Sequence, residues 1–144
     1  LDGVRWQCLE HLDLSANKIR RIAGLSQLTR LQTLNLASNC ITTLDGLSSL
    51  SSLTQLNLSF NAITSVAPLR SAPCDDWPLA TVDLRGNGIA DPSELEHFGA
   101  LRRLRHLKLG GTARPNPVCG VDTWRATLFN VSPSLEAVDG TDRH

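Results

Sequence analysis

Apolar residues recur along the chain in one spacing, L-x-x-L-x-L-x-x-N-x-I, while the residues between them change freely. The frame reads Leu9, Leu12, Leu14, Asn17, Ile19, then Leu31, Leu34, Leu36, Asn39, Ile41. It returns as Leu53, Leu56, Leu58, Asn61, Ile63 and as Leu79, Val82, Leu84, Asn87, Ile89. A fifth copy opens at Leu104, Leu107 and Leu109 and dissolves into "GGTARPNP"; successive copies start 22, 22, 26 and 25 residues apart. Within each copy the alternation of apolar and variable positions predicts a short strand, with one face packed and the other free. A single copy cannot bury its leucines, but stacked copies pair their strands about 4.8 Å apart and build one continuous core.

The Asn of each copy turns the chain after the strand, and its amide can satisfy backbone groups that the ladder leaves over. Asn17, Asn39, Asn61 and Asn87 therefore read as structural. Between strands, Ile22, Leu25 and Leu28, and then Leu44, Leu47 and Leu50, fall every three residues, which predicts 3₁₀ or short helical turns. The segment "DPSELEHFGALRRL" predicts a full helix, with Asp91 as N-cap, Pro92 at the first position, Glu94 in the first turn, and Leu95, Phe98 and Leu101 inward. A second helical stretch is expected around Trp124 to Phe129, stopped near Pro133, with Leu135 and Val138 covering the last leucines as a C-terminal cap. At the other end, "LDGVRWQCL" echoes "LDGLSSLSSL" one residue short, so the expectation is that a cap or earlier repeats lie upstream.

Period and pattern together are those of a leucine-rich repeat. The expected fold is an α/β leucine-rich repeat solenoid, with short parallel strands on the concave face, 3₁₀ or helical turns on the convex face, and a C-terminal helical cap. The whole of 1–144 reads as a single domain: a truncated repeat over 1–8, four repeats over 9–103, and the last strand plus cap over 104–144.

At 144 residues the chain can bury roughly 70% of its unfolded surface. Apolar residues make up 41% and charged residues 19%, and 14 Lys and Arg balance 14 Asp and Glu, so no general charge draws it to nucleic acid or an anionic membrane. With no Met, no basic-then-apolar leader and no apolar run near the ~18 residues of a membrane span, the expectation is a soluble piece of a longer protein. Cys8, Cys40, Cys74 and Cys119 are scattered, with no CxxC, and read as reduced thiols in the cytoplasm.

Catalytic chemistry finds no footing in this pattern. The histidines at 11, 97, 106 and 144 form no HExxH, there is no GxSxG, and "GNGIAD" lacks the third Gly of a dinucleotide loop. Cys8 and His11 have ligand-like spacing but fall on opposite faces of a strand. Asp75 and Asp76 form a carboxylate pair with no base nearby and read as a solvated loop, and the two N-x-S matches at Asn57 and Asn130 carry no weight. Trp77 is expected to wedge beneath the expanded loop before "LATVDL". Arg102, Arg103, Arg105, His106, Lys108 and Arg114 form a basic cluster, read as a solvated end of the solenoid or a contact for an acidic partner. No catalytic residue, metal site, cofactor or small-molecule substrate is expected.

The variable strand positions are then the working surface. Their columns read His11, Thr33, Gln55, Thr81, His106; next Asp13, Asn35, Asn57, Asp83, Lys108; next Ser15, Ala37, Ser59, Arg85, Gly110. The candidate partner-binding residues are His11, Asp13, Thr33, Asn35, Gln55, Asn57, Thr81, Asp83, Arg85, His106 and Lys108, with Phe60 as an exposed apolar anchor. Such a face is roughly 20 Å across by the strand spacing, wide enough for a helix or an extended segment of a protein partner. On this register Asn57→Arg is expected to leave the fold intact and Leu58→Ala to cost roughly 2–5 kcal/mol.

The cap "NPVC…WR..LF…P.LEAVDG" resembles that of the intracellular leucine-rich repeats, a class that includes protein phosphatase regulators, the spliceosomal A-prime protein and many centrosomal and ciliary proteins. Trp124 and Arg125 stand where that class carries an aromatic-Arg pair. "LEHLDLSANKIRRIAGLSQLTRLQTLNLASNCIT", "LTQLNLSFNAIT", the expansion before "LATVDLRGNGI" and "NPVCGVDTWRATLF" resemble the family of leucine-rich repeat and coiled-coil domain-containing centrosomal proteins. That resemblance implies a repeat domain ahead of a coiled coil, located in the cytoplasm on the cytoskeleton at centrosomes or centrioles. It also implies support of spindle or cilium organisation in the cell cycle, through a centrosomal or microtubule-associated protein partner. The alternatives are a phosphatase-regulatory or other axonemal adaptor and a ribonucleoprotein adaptor.

Overall fold

The computed structural model describes residues 6–71, 73–74 and 76–143. Each copy of the frame folds to a three-residue strand: β1 (His11–Asp13), β2 (Thr33–Asn35), β3 (Gln55–Asn57), β4 (Thr81–Asp83) and β5 (His106–Lys108). These run parallel and in sequence order, and the register sets Leu12, Leu34, Leu56, Val82 and Leu107 in one row. Apart from Leu12, which is half-buried, that row and the next, Leu36, Leu58, Leu84 and Leu109, lie in the core. At about 25 cal/mol per Å² of apolar surface, burial of these rows together with the leucines of the convex turns stabilises the stack.

Two further strands extend the expected five. In β6 (Ala137–Val138) the chain continues the sheet in parallel, and β7 (Thr141–Asp142) turns back antiparallel to it. Val138 thus covers the last leucines as a member of the sheet and is fully buried.

On the convex side, Leu28 and Leu31 donate their amides to Leu25 and Leu28, one 3₁₀-type bond per three residues, as their spacing requires. The segment after Asp91 departs from the expected full helix. Asp91 does cap it, accepting from the Ser93 amide at 2.9 Å, but Pro92–Ala100 is a nine-residue 3₁₀ helix. Leu95, Phe98 and Leu101 recur every three residues, so a three-residue turn sets them in one line on the core side. Gly99 lets this helix approach closely, since a Cβ there would stand 2.7 Å from the Val131 carbonyl oxygen.

The cap helix α1 (Trp124–Val131) forms where expected and ends before Pro133. Arg143 closes its far end, donating to the carbonyls of Phe129 at 3.0 Å, Ser132 at 2.7 Å and Leu135 at 2.8 Å. The first two are carbonyls at the helix terminus, which lack partners inside the helix. Trp77 is buried, and its indole N–H donates to the Leu50 carbonyl at 2.8 Å. Of residues 1–8, assigned to a truncated repeat, 1–5 lie outside the described residues, as do Asp75 of the carboxylate pair and His144. No described helix is long and apolar enough to cross a membrane.

Candidate functional site

A groove of about 460 Å³ runs across the concave sheet. Strand alternation turns the middle residue of each triplet toward the core and its flanking residues toward the concave face, where Asp83 is nonetheless buried, so the sequence columns become physical rows. The groove is lined by His11, Asp13, Thr33, Asn35, Gln55, Asn57, Thr81, Asp83 and Lys108. His11 Nδ1 and Thr33 Oγ1 are 2.6 Å apart, both open to solvent, and Gln55 is exposed at the centre.

Three candidate residues fall outside that lining. His106 sits in the first row on β5 but turns toward Glu136, 4.0 Å away. Arg85 folds back on Asp83 in a two-pronged pair, with Nε 3.0 Å from Oδ1 and Nη2 2.7 Å from Oδ2, which raises the guanidinium pKa. Phe60 is 45% exposed, but it lies on the turn that follows the strand, at the rim and not on the concave face. Its φ of +58° directs the ring across Gly86, one copy further on.

The second row is less free than a variable position would be. In β1 to β4 its side-chain oxygen accepts the amide two residues on: Ser15 to Asp13 at 2.9 Å, Ala37 to Asn35 at 3.0 Å, Ser59 to Asn57 at 3.0 Å and Arg85 to Asp83 at 3.1 Å. These are Asx turns, and they explain why the row holds only Asp and Asn over four copies. The Ser15 hydroxyl, with help from its amide, holds the Asp13 carboxyl below its ordinary pKa. Asn57→Arg therefore removes the acceptor of one Asx turn, a cost in stability that the expectation of an intact fold did not include.

Lys108 cannot accept, and in its copy the duty passes to Asp139, which the sequence reading overlooked. The Asp139 carboxylate accepts from the Leu109 amide at 2.8 Å and from Gly110 at 3.1 Å, with Arg125 Nη2 3.6 Å away. Arg125 in turn lies over the Trp124 ring at 4.4 Å.

Behind the groove the asparagines form a ladder, each side-chain oxygen accepting an Ile amide of the copy before. Ile19 donates to Asn39 at 3.1 Å, Ile41 to Asn61 at 3.0 Å and Ile63 to Asn87 at 3.1 Å. The fifth rung corrects the reading that the fifth copy dissolves: Asn116, fully buried, accepts from Ile89 at 3.0 Å. The frame would put that Asn at position 112, where Thr112 stands; four extra residues bring Asn116 into its place.

Two of the arginines in the basic cluster are held in exposed ion pairs. Arg103 pairs with Asp76 at 2.6 Å and Arg105 with Glu136 at 2.8 Å. Asp13 stands at one end of the groove, and Lys108, without an ion pair among the described residues, at the other. Between them lie the neutral side chains of Thr33, Asn35, Gln55, Asn57 and Thr81 and the Asp83 carboxylate, which is paired with Arg85. No cluster of three or more His, Cys, Asp or Glu suited to a metal occurs among the described residues. None of the four cysteines is in a disulfide. The arrangement can hold a polar partner surface by many weak hydrogen bonds.

Comparison with known proteins agrees with this geometry. The family described as "Leucine Rich repeats (2 copies)" matches residues 7–49 and 29–71. No curated protein matches the chain. Among solved structures, it is similar to a chain of the Drosophila melanogaster SNF/U2A' complex, with a TM-score of 0.77 and 26% identity over 93% of this chain and 74% of that one. It is also similar to internalin C2 of Listeria monocytogenes, with a TM-score of 0.68 and 28% identity over 92% of this chain and 51% of that one. A leucine-rich repeat protein of Leptospira interrogans gives a TM-score of 0.68 and 25% identity, over 91% and 31% respectively.

Proposed function

We propose, from the premise that the chain is a leucine-rich repeat protein, that it is a non-catalytic protein-interaction module reading its partner on the concave face. The observation that carries this is the groove, a continuous row of polar side chains held on the parallel sheet. A preformed polar surface costs little ordering entropy on binding, so weak bonds add up to useful affinity. Within that reading, the resemblance of the repeats and cap supports a scaffold role at the centrosome or centriole, in spindle or cilium organisation, with a centrosomal or microtubule-associated partner.

The experiment is affinity capture from dividing cells, with wild type beside Gln55→Arg, Thr81→Arg. Both substituted residues line the groove and neither makes an Asx turn. Centrosomal or microtubule-associated proteins held by wild type and lost by the variant are the expected result. Capture that is identical for both removes the concave face from the reading.

A ribonucleoprotein adaptor is the second reading, favoured by the likeness to a chain of the SNF/U2A' complex. Enrichment of ribonucleoprotein components that the same variant loses would replace the centrosomal role with this one. A phosphatase-regulatory role would show as capture of a phosphatase catalytic subunit.

A further inference from the structure

The cations that the fold brings together are not those that lie together in the sequence. Arg103 and Arg105 are held in their own ion pairs, whereas Lys108 meets two arginines from other elements at the β5 end of the groove. The register sets Lys108 beside Asp83 on one side, and on the other Asp139 follows Val138, the partner of Leu107. Arg85 pairs with the first of these acids at 2.7 Å, and Arg125 approaches the second to 3.6 Å. The Asp139 charge also reaches Arg85: after the Asp83 hydrogen bond, it is one of the lesser causes that raise the Arg85 pKa.

In this corner the acids lie inward and the cations outward. The Asp83 and Asp139 side chains are 11% and 6% exposed, against 34% for Arg85 and 45% for Arg125, and Lys108 is exposed. Backbone amides also occupy the carboxylates. Asp83 Oδ1 accepts from Arg85 at 3.1 Å, Asp139 Oδ1 from Leu109 at 2.8 Å and Asp139 Oδ2 from Gly110 at 3.1 Å. Donors, by contrast, are left over. Arg85 bonds Asp83 through Nε and Nη2, which leaves Nη1. The Arg125 guanidinium is stacked on Trp124 and makes no hydrogen bond to a described residue, and Lys108 has no ion pair among them.

We propose, on the reading that the concave face takes a protein partner, that this corner receives one Asp or Glu carboxylate of the partner and so fixes the direction in which the partner segment lies. Arg85, Lys108 and Arg125 against Asp83 and Asp139 leave one positive charge in excess, and the neighbouring Arg105 and Glu136 cancel each other. A single carboxylate balances that excess and suits the planar donor fork of a guanidinium, whereas a phosphoryl group, with up to about two negative charges, overshoots it. At the other end of the groove stands Asp13, with no ion pair among the described residues, four strand spacings or about 19 Å away. It repels an anion, so the acidic end of the segment lies on β5 and the neutral or basic end on β1.

The test uses blocked hexapeptides, because six extended residues span about 20 Å. Each begins with Lys, continues with four Gln, and ends with Glu, Gln or phosphoserine. They are titrated to about 10 mM into the full chain while the arginine Nε–H resonances are followed by NMR. The Glu-ended peptide is expected to shift Arg85 and Arg125 and to leave Arg103 and Arg105 in place. Ending the peptide with Gln, or substituting Lys108→Gln in the protein, weakens binding by about twofold to fivefold, the range of an exposed ion pair. Equal shifts at all four arginines mean diffuse charge attraction and overturn the proposal. Equal affinity for the Glu-ended and Gln-ended peptides, or no shift at all, does the same. Tighter binding of the phosphoserine peptide overturns the assignment to a carboxylate and makes a phosphoryl group the ligand. Capture from dividing cells separates this proposal from the wider reading. Partners lost by Gln55→Arg, Thr81→Arg but kept by Lys108→Gln would leave the concave face in place and remove this corner from it.

Discussion

The side-chain oxygen of Asn116 accepts the Ile89 amide at 3.0 Å, while its nitrogen donates to the carbonyls of Leu84 and Leu109 at 2.7 and 2.8 Å. One buried side chain thus joins two copies of the frame and satisfies backbone groups of both. Asn17 makes only intrarepeat bonds and is exposed. Asn116→Ala should cost about 2–4 kcal/mol, because buried backbone groups lose their partners, and Asn17→Ala less than about 1 kcal/mol. Urea unfolding of the two variants, at unchanged slope, measures the difference.

The Asx turn at Asn57 ranks three substitutions in neighbouring strand positions. Leu58→Ala truncates a fully buried residue and should cost roughly 2–5 kcal/mol. Asn57→Arg leaves the amide and hydroxyl of the buried Ser59 without their acceptor, at about 1–2 kcal/mol. Gln55→Arg changes an exposed side chain and should stay within about 0.5 kcal/mol. Thermal unfolding should preserve that order; equal melting temperatures for the Asn57 and Gln55 variants would mean that the turn is dispensable.

The repeat was legible because its physics is local and periodic. Leu56 and Leu58 alternate with Gln55 and Asn57 within four residues, and the strand follows. Asn116 was hidden by four extra residues that break the period without breaking the stack, and Asp139 acts on Leu109 from 30 residues away in the chain. The 3₁₀ helix over Pro92–Ala100 was half visible: its Asp-Pro start suits either helix type, and only the three-residue spacing of Leu95, Phe98 and Leu101 separates them. In the groove, side-chain direction was readable from alternation. Prior commitment to a turn was not, since Asp83 and Asn57 look as free in sequence as Gln55.

Cys119 is half-buried, and burial first, with the Asp139 carboxylate second, pushes its thiol from 9.0 up to about 11. Cys8, Cys40 and Cys74 are exposed. Alkylation with iodoacetamide at pH 8 should therefore modify Cys119 last, because the thiolate is the reacting form. The folded state favours the neutral thiol, so this contribution to stability is whole below pH 9.0 and is lost as pH rises toward about 11. Cys119→Ala should show a smaller fall in melting temperature between pH 8 and pH 10 than wild type.

Gly86 and Phe60 form a coupled pair at the rim. A Cβ on Gly86 would stand 2.4 Å from Cδ1 of the Phe60 ring, and Gly86 also holds φ at +73°, where a side chain costs about 1–2 kcal/mol on its own. Gly86→Ala thus carries a backbone cost and a ring-displacement cost. Because Phe60 is 45% exposed, its ring can swing away into solvent, which limits the second cost. Replacing Phe60 with Ala removes the collision and leaves the backbone cost. A double-mutant cycle should therefore show Gly86→Ala less damaging in the Phe60→Ala background, by about 0.5–1 kcal/mol. Strict additivity in chemical unfolding would mean that the ring does not rest on Gly86 in solution, and Phe60 would then be free to meet a partner without first leaving its own chain.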